Sequence, residues 1–102
     1  RDIFLNVTGG LVLRDTGADL ACVLAFISAL RGKPIPKSVV AIGEVGLTGE
    51  LRSVVNIEAR VKEAQRHGFK ICIVPSHIKS KIDNIEIKEF NKLSSAVEFV
   101  FG

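Results

Sequence analysis

The sequence contains no methionine, tryptophan or tyrosine, so phenylalanine is its only aromatic residue. Proteins that bind unpaired bases without sequence preference stack them on aromatic side chains. This chain has few aromatic side chains for that purpose. The lack of methionine, together with a first residue that already opens a strand-like run, predicts a piece cut from a longer protein. At 102 residues, that piece has the length of one domain.

Cysteine is also scarce. Cys22 and Cys72 lie far apart, and neither belongs to a C-x-x-C pair or lies near a histidine at metal-ligand spacing. This pattern predicts two reduced core thiols in a cytoplasmic protein. His67 and His77 have no cysteine, aspartate or glutamate partner at ligand spacing, so no metal site is expected in this domain.

No long hydrophobic run is present. The longest uncharged apolar stretch covers residues 20–30 and is bracketed by Asp19 and Arg31. A membrane-spanning helix needs about 20 apolar residues. The stretch therefore predicts a buried helix and no association with a membrane.

Nucleotide-binding and esterase signatures are missing too. Gly32-Lys33 is followed by Pro34 and lacks the upstream glycine of a P-loop, and no G-x-S-x-G motif occurs. The domain is therefore expected to hold no cofactor. Basic residues outnumber acidic ones by 14 to 11, and the net charge of +3 is compatible with a nucleic-acid partner.

The hydrophobic periodicity predicts one α+β domain over residues 1–102, an α/β-type sandwich with helices stacked on a sheet. Its predicted strands cover residues 3–7, 11–13, 38–42, 71–74 and 85–87, with a glycine-rich hairpin over 43–55. Its predicted helices start at Thr16, Asn56, Ser76 and Ser94, with Thr16, Ser76 and Ser94 as N-caps. Gly32 is expected to end the first helix, and Pro75 the strand 71–74.

Three acidic residues have structural explanations. Asp15 and Asp19 lie at the start of the first predicted helix, where the helix macrodipole favours negative charge. Glu44 follows Gly43 in a tight loop directly after a buried strand, where a carboxylate accepts backbone hydrogen bonds. A functional contact is the alternative for Glu44.

Several segments together resemble the proteolytic domain of Lon proteases. They are Gly-Glu-Val-Gly-Leu-Thr-Gly-Glu-Leu-Arg at 43–52, the helix at 55–68 that ends in His-Gly, Phe-Lys-Ile-Cys-Ile-Val-Pro at 69–75, Asp-Thr-Gly-Ala-Asp-Leu-Ala at 15–21 and Leu-Arg-Gly-Lys-Pro at 30–34. The form they take here is similar to the C-terminal Lon-like domain of the RadA (Sms) family of bacterial DNA repair proteins. The resemblance covers nearly the whole chain and implies a Lon proteolytic-domain fold, the ribosomal protein S5 domain 2-like fold.

The same resemblance places the catalytic serine of Lon on Gly17 and its catalytic lysine on Arg60. Glycine supplies no nucleophile, and an arginine stays protonated at physiological pH, so it cannot act as a general base. We therefore expect no enzymatic activity from this domain. Ser28 and Ser53 lack a lysine at the family's spacing, which disfavours a relocated dyad.

The RadA resemblance implies a function for the whole protein. It implies a cytoplasmic DNA-dependent ATPase in recombination and repair, with a zinc finger and a RecA-like ATPase upstream that would hold zinc, ATP and magnesium. This domain would then act as a scaffold for a homo-hexamer and contribute to binding branched or duplex DNA. The alternatives are a degenerate Lon-type domain that binds a peptide or partner protein, and an active serine protease with a relocated nucleophile.

Two groups of basic residues are candidates for contacts with DNA phosphates. The first lies on or beside the second predicted helix and consists of Arg52, Arg60, Lys62, Arg66 and Lys70; the second, at the end of the first helix, consists of Arg31, Lys33 and Lys37. Basic side chains in this arrangement suit sequence-independent, salt-sensitive binding. The alternative is an ordinary solvated helix face. For Arg60, pairing with Asp15 or Asp19 is favoured over direct contact with DNA.

Overall fold

A computed structural model describes residues 16–102, and its first long element is helix α1 (Asp19–Arg31). The predicted strands at 3–7 and 11–13 and residue Asp15 lie outside the described residues. Helix α1 ends at Gly32, which takes the left-handed conformation at φ 65°, as predicted. Thr16 is not its N-cap: a 3-10 turn, Thr16–Ala18, precedes the helix, and Ala18 occupies the cap position without a side-chain hydrogen bond.

Three parallel strands form the main sheet. They are β1 (Val39–Ala41), β4 (Ile71–Val74) and β5 (Glu86–Glu89), in the order β1-β4-β5. The central strand β4 has three residues with no exposed surface, Cys72, Ile73 and Val74. Its continuous apolar sequence is typical of a strand covered on both faces, and Pro75 ends it as predicted.

A short antiparallel hairpin follows β1 and consists of β2 (Glu44–Val45) and β3 (Leu51–Arg52). Gly49 in its turn has φ 86°, a conformation that favours glycine. The hairpin is attached to the segment before the last helix, because Leu51 N–H donates to Asn91 O at 2.9 Å and Leu93 N–H donates to Gly49 O at 2.7 Å. The predicted glycine-rich hairpin is confirmed.

Two further helices complete the described part of the chain, α2 (Ile57–Arg66) and α3 (Leu93–Phe101). Helix α2 matches the predicted position, and Asn56 before it is left-handed at φ 59°. The predicted cap of α3 is wrong by two residues, because Lys92 occupies the N-cap position and Ser94 lies inside the helix.

The short helix predicted from Ser76 to residue 82 is absent. Ser76 Oγ donates to Ser53 Oγ at 3.1 Å instead of capping a turn. Ser80, which the prediction placed inside this helix, donates its hydroxyl to Glu58 Oε1 on α2 at 2.8 Å. Ile78 and Ile82 are four residues apart, as in a helix, but they insert into the core from an extended loop.

The central sheet separates two apolar clusters, because successive residues of a strand point to opposite faces. One face carries Ile73 together with α1, α3 and the hairpin residue Leu51. The other carries Cys72 and Val74 together with α2 and Ile78. Helices therefore pack on both faces of a mostly parallel sheet, in agreement with the predicted α+β class with α/β-type packing. Burial raises the pKa of the Cys72 thiol to about 12, as expected for an unreactive core cysteine.

Candidate functional site

Gly17, to which the resemblance assigns the catalytic serine of Lon, lies buried in the 3-10 turn before α1. Its carbonyl accepts a hydrogen bond from Gly43 N–H at 3.0 Å, and Gly43 O accepts one from Leu20 N–H at 3.0 Å. Gly43 has little room for a side chain, because a Cβ atom there would lie 3.3 Å from Pro75 Cγ. The start of α1 is thus joined to the end of β1 by backbone hydrogen bonds, and Gly17 contributes no nucleophilic group.

Arg60, to which the resemblance assigns the catalytic lysine of Lon, is half-buried on the first turns of α2. Its Nε donates to Val55 O at 3.1 Å, and its backbone N–H donates to Asn56 O at 3.0 Å. The side chain therefore folds back over the start of α2 and stabilises the left-handed Asn56 connection. Arginine, unlike lysine, is not a residue that can serve as a general base.

The predicted acidic residues lie around the start of α1 and in the hairpin. The Asp19 carboxylate accepts a hydrogen bond from Val45 N–H at 3.3 Å, which ties α1 to β2. Glu44 lies opposite Arg52 in the β2–β3 ladder. Pairing of Arg60 with Asp15 or Asp19 stays a prediction, since Asp15 lies outside residues 16–102.

The two serines considered as alternative nucleophiles have other hydrogen-bond partners. Ser28 Oγ donates to Lys33 O at 2.5 Å, beyond the end of α1. Ser53 Oγ accepts from Ser76 Oγ at 3.1 Å. Within the described ranges neither hydroxyl is bonded to a lysine amino group or an imidazole, the groups that would activate it.

Two of the predicted DNA-binding arginines form ion pairs within the chain. Arg52 pairs with Glu50, with Nε donating to Oε2 at 3.1 Å. Arg66 pairs with Glu63 at 2.6 Å, and His67 lies 3.5 Å from the same carboxylate. These pairs are exposed and contribute little to stability, but they neutralise the positive charge of both arginines.

The second predicted basic group is partly used to hold the end of α3. Lys33 Nζ donates to Phe101 O at 3.1 Å, and the Arg31 guanidinium lies 5.9 Å from the centre of the Phe101 ring. Cations are favourable at the carboxyl end of a helix. Lys37 is exposed beside β1.

The remaining predicted lysines, Lys62 and Lys70, are exposed and make no ion pair with residues 16–102. The structure adds Lys79 and Lys81, which the sequence analysis did not single out because that segment was assigned to a short helix. The signal that could have found them is Lys-Ser-Lys between two isoleucines, Ile78 and Ile82.

The hairpin carboxylate of Glu50 is strongly perturbed by its neighbours. Thr48 Oγ1 donates to Glu50 Oε1 at 2.5 Å, and Arg52 donates to Oε2. These hydrogen bonds, that from Thr48 first, lower the pKa of Glu50 from 4.5 to about 2. A methyl group on Gly46 would collide with this carboxylate.

We expect Glu50→Gln to destabilise the protein at pH 7 but not near pH 2. A carboxylate with a depressed folded-state pKa stabilises the fold above its unfolded pKa, and that contribution disappears as the pH falls through the folded value. The difference in thermal unfolding midpoint between wild type and variant should therefore close between pH 4.5 and about 2. Glu89→Gln, at an exposed position in β5, is the matched control. A difference that is constant with pH would contradict the role assigned to Glu50.

Two classes of site are absent from the part of the chain that the structure describes. Residues 16–102 contain no group of three or more histidine, cysteine, aspartate or glutamate side chains that could hold a metal ion. Over the same residues no helix has the length and apolar character needed to cross a membrane.

Comparison with known protein families shows to which family the chain belongs. The sequence profile of the family described as subunit ChlI of Mg-chelatase matches residues 2–78. The chain belongs to this family. Its curated relatives include DNA repair protein RadA of Haemophilus influenzae, 44% identical over 95% of this chain, and RadA of Aquifex aeolicus, 41% identical over 99%. RadA of Escherichia coli is 43% identical over 95% of the chain.

These matches confirm the resemblance to the RadA family. The chain covers only 22 to 23% of the length of these relatives. Their name connects them with DNA repair. For this chain, the activity of the full-length proteins is a proposal.

Proposed function

We propose that this chain is the non-catalytic, Lon-like scaffold domain of a RadA-type DNA repair ATPase, where it supports a hexameric ring and binds DNA. The observation that carries the proposal is the similarity to RadA at 41–44% identity over 95–99% of the chain, combined with glycine and arginine at the two dyad positions. The proposal includes the Lon-type, ribosomal protein S5 domain 2-like fold. It places the zinc finger and the RecA-like ATPase, with their zinc, ATP and magnesium, in other parts of a cytoplasmic protein.

An exposed apolar face of α1 supports the scaffold role. Phe26 and Leu30 are 64% and 71% exposed, and Ala25 and Ala29 beside them are exposed as well. Exposed apolar residues that adjoin one another mark protein contacts more often than scattered ones do. A neighbouring subunit of the ring would bury this face.

The charge of the chain supports the DNA-binding role. The net charge is +3, and several lysines make no ion pair with the described residues. Few aromatic residues are available for stacking, so the expected contacts are with phosphates of duplex or branched DNA. Such contacts are independent of sequence and release counterions, which makes them sensitive to salt.

Binding of the purified chain to fluorescently labelled duplex DNA, measured by anisotropy, tests this function. About four phosphate contacts would lower the affinity roughly a hundredfold between 50 and 200 mM salt, equally for unrelated sequences. Absence of binding at 50 mM salt would remove the DNA-binding part of the proposal. Recovery of a protein partner from nuclease-treated lysate would then favour the peptide- or protein-binding alternative.

A further inference from the structure

The loop between β4 and β5 is held to the core at two points. Ile78 is 8% exposed and packs with Val61 and Val74, and Ile82 is half-buried against the same cluster. The three residues between these anchors, Lys79, Ser80 and Lys81, are exposed. The anchors therefore place two lysine side chains on the surface on either side of Ser80.

Glu58 on α2 binds this loop from the side of the helix. Ser80 Oγ donates to Glu58 Oε1 at 2.8 Å. The hydrogen bond from the Ser80 hydroxyl is the largest cause that lowers the pKa of Glu58, and the backbone of Ser80 and Lys79 lowers it further. The Glu58 carboxylate is the negative charge next to these lysines, and it is bonded to the loop. This contact holds the loop against α2.

Lys62 brings a third ammonium group to the same place. It lies four residues after Glu58 on α2, one helical turn away on the same face, and its charge acts on the Glu58 carboxylate. Consecutive Cα atoms are about 3.8 Å apart, so Lys79 and Lys81 are close neighbours of Ser80 and of this turn. We call Lys62, Lys79 and Lys81 the lysine surface.

The lysine surface differs from the candidates Arg52, Arg66 and Lys33 in its freedom to bind. Arg52 and Arg66 are paired with glutamates, and Lys33 is bound to the end of α3. The three lysines of the surface form no ion pair with another described residue. They also lie on two elements, so their relative positions are fixed by the fold and not by one flexible segment.

We propose that the lysine surface, formed by Lys62, Lys79 and Lys81 and held in place by the contact of Glu58 with Ser80, is where this chain contacts the phosphates of duplex DNA. The inference rests on the proposed function and assigns a place to its DNA binding. Asp83 lies two residues beyond Lys81 and limits the positive field on that side.

The test compares two double variants that remove the same charge. Lys79→Gln/Lys81→Gln changes the lysine surface, and Lys88→Gln/Lys92→Gln changes two lysines elsewhere, in β5 and directly before α3. Loss of two phosphate contacts should lower the log–log salt slope of duplex binding by about 1.8 and the affinity at 0.1 M salt by roughly one to two orders of magnitude. The control should lose about threefold or less, because charges beyond about 10 Å are screened at this ionic strength.

Thermal melting of both variants must first match wild type, which excludes unfolding as the cause. Equal losses in the two variants would overturn the lysine surface and indicate diffuse attraction by net charge. Binding of Lys79→Gln/Lys81→Gln at the wild-type level would overturn it as well, while DNA binding by the wild-type chain would leave the proposed function standing. Failure of the wild-type chain to bind at 50 mM salt would overturn both.

Discussion

Replacing Ile73 with alanine should lower the free energy of unfolding by about 2–5 kcal/mol. Ile73 lies in the middle of the central strand with no exposed surface and packs in the cluster that contains Leu20, Leu24 and Phe101. Its truncation removes buried carbon atoms and leaves a cavity between α1, α3 and the sheet. Chemical denaturation monitored by circular dichroism measures the loss.

Two control variants separate the effect of burial from the effect of removing carbon atoms. Ile73→Val removes one methyl group and should cost about 0.5–1.5 kcal/mol. Leu30→Ala removes as many carbons as Ile73→Ala, but from a side chain that is 71% exposed, and should change stability by about 0.5 kcal/mol or less. A cost for Ile73→Ala no larger than that for Leu30→Ala would contradict the position of Ile73 in the core.

Ile78→Ala should have the second large effect, and it should act on both stability and DNA binding. Ile78 is 8% exposed and packs with Val61 and Val74 on the α2 face of the sheet, so its truncation should cost about 2 kcal/mol or more. It also removes the anchor that precedes Lys79. The affinity for duplex DNA should therefore fall at a temperature well below the unfolding midpoint, although no charge has changed.

Leu47→Ala is the matched control for Ile78→Ala. Leu47 lies fully exposed in the turn of the hairpin, and its truncation should alter neither the unfolding midpoint nor the affinity for DNA. Denaturation curves and anisotropy titrations of the two variants give the comparison. If Ile78→Ala lost stability but bound DNA with the wild-type affinity and salt slope, Ile78 would not control the position of the lysine surface.

Elements whose ends are set by backbone chemistry could be predicted from the sequence. Gly32 ends α1 because a glycine readily takes the left-handed conformation there, and Pro75 ends β4 because proline cannot donate to a strand ladder. Predictions from side-chain capping were less reliable. Thr16, Ser76 and Ser94 are all good capping residues, yet none of them caps a helix in the structure.

The reason lies in contacts between segments distant in sequence. Ser76 is bonded to Ser53, which lies 23 residues earlier, and Ser80 is bonded to Glu58, which lies 22 residues earlier. Local periodicity contains no information about such partners. The spacing of Ile78 and Ile82 satisfied a helical pattern, but the same two side chains can also be buried from an extended loop.

Only part of the candidate site could be predicted from the sequence, again because some of its contacts join segments that are distant in sequence. The resemblance to Lon assigns the two dyad positions to Gly17 and Arg60, and that assignment stays a prediction. The pair of Glu63 and Arg66 was also readable as an i,i+3 pair on a predicted helix. The pairing of Arg52 with Glu50 and the use of Lys33 at the end of α3 depend on the tertiary fold. So does the contact of Glu58 with Ser80 in the loop that carries Lys79 and Lys81.

Incubation of the folded chain with a serine-reactive covalent probe is the most direct test of the claim that the protease chemistry is gone. Because the proposal assigns the dyad positions to Gly17 and Arg60, the expected result is no labelling above that of a heat-denatured sample. Ser28→Ala and Ser53→Ala should then give the same background. Strong labelling that a single serine-to-alanine change abolishes would contradict the claim and show an active nucleophile elsewhere in the chain.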